Sequence, residues 1–142
     1  MSVQVVLLPL FVEVILTFVL WGYMAALRTR GMGSGGVRTE DIALREPNWS
    51  KPTLQAAYSF SNQFELPVLF YVLTILAYAT HKAGFAFVIL AWIFVIFRLA
   101  HAYVHVTSNI VRLRGSLYGI AAFALIVNWV IYIVAILTSP WV

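Results

Sequence analysis

The sequence contains no cysteine, which excludes a nucleophilic thiol, a disulfide and a thiolate metal site in this chain. Charge is scarce as well, because only 10% of the residues are Asp, Glu, Lys or Arg. The nine Lys and Arg residues give a net charge of +4, but no polar stretch is long enough to form a soluble basic domain. We therefore exclude nucleic acid as a partner.

Apolar residues make up most of the chain: 63% of it is hydrophobic and the mean hydropathy is +0.94. The apolar residues form four runs, 3–27, 54–80, 84–107 and 117–137. Each is long enough to cross a bilayer core, which needs about 20 helical residues. The sequence predicts an all-α integral membrane protein, a single domain over residues 1–142 with four transmembrane helices running up-down-up-down in the lipid bilayer.

The segment 28–53 is the longest predicted loop and is rich in basic residues. With the pair Arg112 and Arg114 it places seven bases on one side, against Lys82 on the other. By the positive-inside rule the loop is cytoplasmic and both termini lie on the non-cytoplasmic side. Within this loop, the glycine spacing from Gly31 to Gly36 matches that of a dinucleotide-binding motif. That motif requires a preceding strand, and this segment follows a membrane helix, so we interpret it as a flexible loop. Aromatic residues that suit the membrane interfaces are Trp21, Tyr23 and Trp141.

Two polar stripes run along the second and third predicted helices. At about 100° per residue, each stripe occupies an arc of about 80°. Glu65 and Arg98 lie at similar depths, and an unpaired charge there costs at least ~3 kcal/mol. We therefore expect Glu65 to face the bundle and to pair with Arg98 or with a cationic group of a ligand. Glu13, nearer the other end of its helix, is predicted to pack between helices outside the site. The two stripes, which predict a wet cleft open to the cytoplasm, are Gln55, Tyr58, Asn62 and Glu65, and Arg98, His101, His105, Asn109 and Arg112.

Two other interpretations of the stripes remain open at this point. The polar side chains can serve only as interhelical hydrogen bonds of about 1 kcal/mol each. Alternatively, His101 and His105, one turn apart, can form a metal site with Glu65. Arg98 is one turn from His101 and disfavours a bound cation.

Several motifs resemble the membrane-associated proteins in eicosanoid and glutathione metabolism, the MAPEG family. They are the segment Asn62-Gln63-Phe64-Glu65-Leu66-Pro67 and the segment Arg98-Leu99-Ala100-His101, followed by His105 and Arg112. The resemblance covers nearly the whole chain and includes the loop lengths and topology. It implies a homotrimer with glutathione, as co-substrate, bound between neighbouring subunits near the cytoplasmic side. It further implies a glutathione transferase or peroxidase, whose glutathione thiolate attacks a lipophilic small-molecule substrate.

The resemblance also assigns residues to roles. Asn62 and Glu65 match the pair that holds the peptide, and Arg98, His101 and His105 match polar positions of the third helix. Arg112 or Arg114 would stabilise the thiolate, because a free thiol with a pKa of ~8.5 is mostly protonated at pH 7 and a guanidinium lowers that pKa. Gln55 and Tyr58, which belong to the polar stripe and not to these motifs, would extend the binding site from the second helix.

Two departures from the family pattern affect these expectations. Glutathione-using members usually carry an arginine one turn before the asparagine, where this chain has Ala56, Ala57 and Tyr58. Several members have tyrosine where this chain has His101 and His105. We expect Arg28, at the end of the first span, to supply the missing cation. The alternative is a non-enzymatic ligand-binding or structural membrane subunit of the same fold. The chain's brevity and the family's distribution favour a bacterial cytoplasmic membrane.

Overall fold

The computed structural model describes residues 1–139, and the predicted interfacial position of Trp141 lies outside this range. The described chain is helical, with five α-helices joined by turns and one loop. They are α1 (Val3–Gly33), α2 (Lys51–Ser61), α3 (Leu66–Ala79), α4 (Phe85–Val106) and α5 (Val111–Leu137). A 3₁₀ turn, Asn62–Phe64, joins α2 to α3, and another, Thr39–Ile42, lies in the loop. Four spans are long and apolar enough to cross a membrane: α1, α2 with α3, α4 and α5. The predicted all-α, four-span fold is confirmed.

The helices at the two ends of the chain are longer than the hydropathy runs predicted. Helix α1 continues to Gly33 instead of ending at residue 27, and α5 begins at Val111 instead of residue 117. At 1.5 Å per residue, the 31 residues of α1 extend about 46 Å, well beyond a ~30 Å hydrocarbon core. Polar residues can continue a helix there, because the backbone hydrogen bonds do not depend on apolar side chains. Gly31 is therefore helical, and the predicted flexible run is reduced to the turn around Gly35, whose φ is +69°.

The second span is interrupted at its middle, where the sequence predicted a continuous helix over 54–80. Between α2 and α3 the chain passes through the turn Asn62–Phe64 and then Glu65, at φ −100° and ψ −112°. The cause is Pro67, which has no amide hydrogen to donate to the Gln63 carbonyl oxygen and whose ring would clash with that carbonyl in a continuous helix. The break changes the direction of every side chain that follows Asn62, so a single helical wheel does not describe this span.

Helix α4 lies at the centre of the bundle and packs against α1, α2 and α5. At mid-bundle the core is apolar, with the rings of Phe70 and Phe94 stacked at a centroid distance of 4.7 Å. One amide joins α5 to α4, because Asn128 Nδ2 donates to the Phe87 carbonyl oxygen at 3.2 Å. The spans alternate in direction, so the loop 34–50 and the turn 107–110 lie at the same end of the bundle. The polar side chains described next lie between mid-bundle and this end.

Candidate functional site

A small polar cavity of about 250 Å³ opens where three segments of chain meet. These segments are the break in the second span, the last turns of α4 and the first turns of α5. Its mixture of amide, carboxylate, imidazole, guanidinium and phenol groups on otherwise apolar helices is typical of a ligand site. The lining residues are Asn62, Glu65, His101, His105, Val111, Arg114, Gly115 and Tyr118.

Arg98 lies behind the cavity and is fully buried. Its Nη1 donates to Asn62 Oδ1 at 2.6 Å, and its Nη2 donates to the Asn62 carbonyl oxygen at 3.2 Å. That carbonyl lies in the break of the second span, where the regular α-helical hydrogen bonds are interrupted. Arg98 therefore stabilises the break that Pro67 causes.

The predicted ion pair between Glu65 and Arg98 is not formed. Arg98 instead pairs with Glu13 of α1, with Nε and Oε1 3.5 Å apart and both side chains fully buried. Asn62 separates Glu65 from Arg98, because its Nδ2 donates to Glu65 Oε2 at 2.7 Å while its Oδ1 accepts from Arg98. Glu13 does not line the cavity, but it belongs to the polar network that supports it. The sequence predicted that Glu13 packs between helices outside the site, but not that Arg98 is its partner, because distance along α1 does not show which neighbour it faces.

The two histidines lie side by side, with ring centroids 5.6 Å apart. His101 Nδ1 is 3.0 Å from the Arg114 carbonyl oxygen. Since a carbonyl only accepts, Nδ1 carries the hydrogen, and the ring ties the end of α4 to the start of α5. Within residues 1–139 no three His, Asp or Glu side chains are grouped so as to hold a metal ion. The hypothesis of a metal site formed by His101, His105 and Glu65 is therefore not supported.

The structure separates the two arginines that the sequence could not distinguish. Arg114 lines the cavity, and its Nη1 donates to Asn109 Oδ1 at 2.6 Å. Arg112 is exposed and does not line it. The predicted stripe from Arg98 to Arg112 assumed a continuous helix, but α4 ends at Val106 and Asn109 has a φ of +49°. The helical phase is therefore lost between His105 and Arg112.

The remaining predicted binding residues lie elsewhere in this chain. Arg28 and Tyr58 line a second cavity, of about 450 Å³, between α1, α2 and the loop. There the Arg28 guanidinium lies 5.3 Å from the centroid of the Trp49 ring. Gln55 is half-buried and lines neither cavity. Within one subunit, these three side chains do not join the polar cavity.

Tyr118 is the polar residue of the cavity that the sequence did not indicate. Its ring lies 5.6 Å from that of His101 and 5.9 Å from the Arg98 guanidinium. It was missed because the fourth span appeared to begin at residue 117. Had α5 been placed from Val111, the spacing of four residues from Arg114 would have put both side chains on one helix face.

The comparisons with known proteins give one family and no individual relative. The MAPEG family model matches residues 6–134, which includes most of α1 and α5, the whole of the other two spans and every residue of the polar cavity. No curated protein and no solved structure matches the chain. The match to nine-tenths of the sequence, together with four spans and a polar site, shows that this integral membrane protein belongs to the MAPEG family.

Proposed function

We propose that the protein is a glutathione-dependent transferase or peroxidase that acts on lipophilic electrophiles or hydroperoxides. One observation carries the proposal: Arg114 shares a cavity with the amide of Asn62 and the carboxylate of Glu65. Glutathione presents a thiol, two peptide groups, an ammonium group and two carboxylates. The cavity offers a cation, an amide and an anion, which are complementary to those groups.

Arg114, rather than Arg112, is the proposed partner of the thiolate. Its guanidinium stabilises the anionic sulfur after the thiol proton passes to water. In the transferase reaction a sulfur–carbon bond forms as the leaving group departs with its electron pair. In the peroxidase reaction the sulfur attacks the terminal oxygen of a hydroperoxide, which yields an alcohol and a sulfenic acid. A second glutathione then gives the disulfide and water.

Several side chains have proposed roles in binding and holding glutathione. Asn62 and Glu65 hold the peptide and the ammonium group, and Tyr118 and His105 form walls of the cavity. His101 keeps the start of α5 against α4 through its bond to the Arg114 carbonyl, which fixes the arginine relative to the break.

The size of the cavity supports a site shared between subunits. Ligand sites typically enclose about 300–1,000 Å³, and the 250 Å³ cavity of one chain falls below that range. We propose that a homotrimer completes it, with Arg28, Tyr58 and Gln55 of a neighbouring subunit closing the open side. Arg28 would then supply the second cation that the second span lacks over Ala56, Ala57 and Tyr58.

The proposed location is a bacterial cytoplasmic membrane, with the loop 34–50 in the cytoplasm and the N-terminus outside. Seven of the nine basic residues lie at the loop end, which is also the end nearer the polar cavity. Glutathione would enter from the cytoplasm, and the lipophilic substrate from the bilayer.

The test uses the detergent-solubilised protein. We expect glutathione to raise its melting temperature in a saturable manner, and a chlorinated nitroaromatic compound to be conjugated in proportion to protein concentration. The matched control is glutathione that carries a methyl group on sulfur, which should stabilise the protein but give no product. Stabilisation without turnover of any electrophile or hydroperoxide would favour the non-enzymatic binding subunit. The supporting observation for that alternative is the absence of an arginine over Ala56, Ala57 and Tyr58. No stabilisation and no turnover would refute the proposal.

A further inference from the structure

The polar network contains two carboxylates and one buried cation. Glu13 and Arg98 are both 0% exposed, whereas Glu65 is exposed at the cavity. Among residues 1–139 the ion pairs are Arg98 with Glu13 and, in the loop, Arg38 with Asp41. Glu65 has no ion-pair partner among the described residues. Within residues 1–139 its carboxylate accepts a hydrogen bond only from the Asn62 amide.

The guanidinium of Arg98 divides its contacts between two sides. Its Nε edge lies toward Glu13, and its two Nη atoms donate to the side chain and the backbone of Asn62. A buried guanidinium requires a counter-charge, because the cost of removing it from water is several kcal/mol. If Glu13 did not provide that charge, the nearest carboxylate on the other side of Asn62 would be Glu65.

We propose that Glu13 is a positioning residue that reserves the charge of Glu65 for the ligand. By neutralising Arg98 from the α1 side, it leaves the Glu65 carboxylate available for a cationic group in the cavity. Arg114 lines the same cavity and provides a positive charge there. The cavity therefore selects a zwitterionic ligand. The identification of that ligand as glutathione rests on the proposed function, but the charge arrangement does not.

The alternative is that Glu13 only joins α1 to α4. The test must distinguish this mechanical role from the proposed one. A purely mechanical role predicts that Glu13→Gln lowers stability and leaves the charge preference of the cavity unchanged. The proposed role predicts a change in that preference. It also predicts that removal of the Arg98 charge reverses the change, since the double variant has no cation left to neutralise.

The absence of cysteine allows the charge of the cavity to be measured without any ligand. Gly115 lines the cavity, and a Cβ added there meets no atom within 4 Å, so Gly115→Cys is a reporter that the fold can accommodate. Its reaction rates are compared for a cationic and an anionic methanethiosulfonate of similar size. We expect Glu13→Gln to lower the cationic-to-anionic ratio about fivefold, the equivalent of about 1 kcal/mol for a partly exposed charge. Glu65→Gln should lower it similarly.

Two further variants complete the labelling test. In Glu13→Gln/Arg98→Gln the ratio should return to within about twofold of the parent value, whereas Glu40→Gln, in the loop, should leave it unchanged. An unchanged ratio in Glu13→Gln would overturn the inference. If that single variant does not fold, the double variant still decides, because a ratio well below the parent value would also overturn it.

A second measurement connects the inference to glutathione. The parent protein should bind glutathione more tightly than the analogue that lacks the α-amino group. Glu13→Gln should bind the two equally, with a KM for glutathione raised about fivefold and kcat retained. A Glu13→Gln variant that still discriminates between the two ligands would contradict the inference. If neither ligand binds any variant while the labelling ratio shifts as expected, the proposed function fails and the role of Glu13 stands.

Discussion

Arg98 Nε and Glu13 Oε1 lie 3.5 Å apart, and neither side chain is exposed to solvent. The pair joins the central helix α4 to α1, and the other face of the same guanidinium holds the break in the second span through Asn62. One buried cation thus connects three of the four spans. This network supports Asn62 and Glu65 of the cavity, whereas Asn109, in the turn 107–110, holds the Arg114 guanidinium.

Arg98→Met should be strongly destabilising, because it leaves the Glu13 carboxylate buried without a counter-charge. Breaking a buried pair in this way typically costs about 4 kcal/mol of unfolding free energy. The measurement is equilibrium unfolding in mixed micelles. The matched control is Arg38→Met, which breaks the exposed pair with Asp41 and should have no measurable effect. Equal effects of the two substitutions would contradict this account of the network.

Arg114→Ala should abolish conjugation, and Arg112→Ala should leave most of it. The two residues are equally charged and two positions apart, but only Arg114 lines the cavity. We expect kcat/KM for glutathione to fall at least about a hundredfold in Arg114→Ala and less than about threefold in Arg112→Ala. Steady-state kinetics on both variants provides the comparison. The reverse order would identify Arg112 as the thiolate partner and refute the assignment.

The sequence predicted the four spans because membrane insertion depends on apolar length, which can be counted. It also indicated which polar residues lie within the spans, and four of them, Asn62, Glu65, His101 and His105, share one cavity with Arg114, which was predicted to lie in the connection after the third span. Depth along a helix can be estimated from residue number, which is why this grouping was accessible without coordinates.

The interaction partners of the polar side chains and the rotation of each helix about its axis were less predictable from the sequence. The pairing of Arg98 with Glu13 instead of Glu65 depends on the rotation of α1, which the sequence does not give, because Glu13 is the one charged residue in the apolar run 3–27. The helix ends at Gly33 and Val111 were misjudged because polar residues continue a helix beyond the hydrocarbon core. Pro67 is evident in the sequence, but the backbone geometry at the break also depends on the tertiary hydrogen bonds from Arg98 to Asn62.

Asn128→Leu should lower stability modestly without affecting the cavity. The Asn128 amide is buried and donates across helices to the Phe87 carbonyl oxygen at 3.2 Å. Interhelical hydrogen bonds in membranes contribute about 1 kcal/mol, so the loss should be of that order. Unfolding in micelles measures it, and binding of glutathione should be unchanged. A loss comparable with that of Arg98→Met would show that this amide is more important for the fold than we infer.

The orientation of the protein in the membrane can be tested with single cysteines, because the chain contains none of its own. Ser34→Cys and Thr80→Cys place exposed thiols at opposite ends of the bundle. In intact cells a membrane-impermeant maleimide should label only the cysteine at position 80, and lysis should expose the one at position 34. Labelling of position 34 in intact cells would reverse the proposed topology and place the polar cavity on the outer side.

A site shared between subunits makes a prediction that a single-chain site does not. Arg28 and Arg114 line different cavities of one chain, and we propose that they meet only across a subunit boundary. Arg28→Ala and Arg114→Ala should each be inactive alone. Co-expressed in equal amounts, they should form mixed trimers in which roughly a quarter of the sites combine both intact arginines. Activity of the purified co-expressed protein near that fraction supports the shared site. If the co-expressed protein is as inactive as either variant alone, both arginines must act within the same subunit, and the proposed trimeric site is wrong.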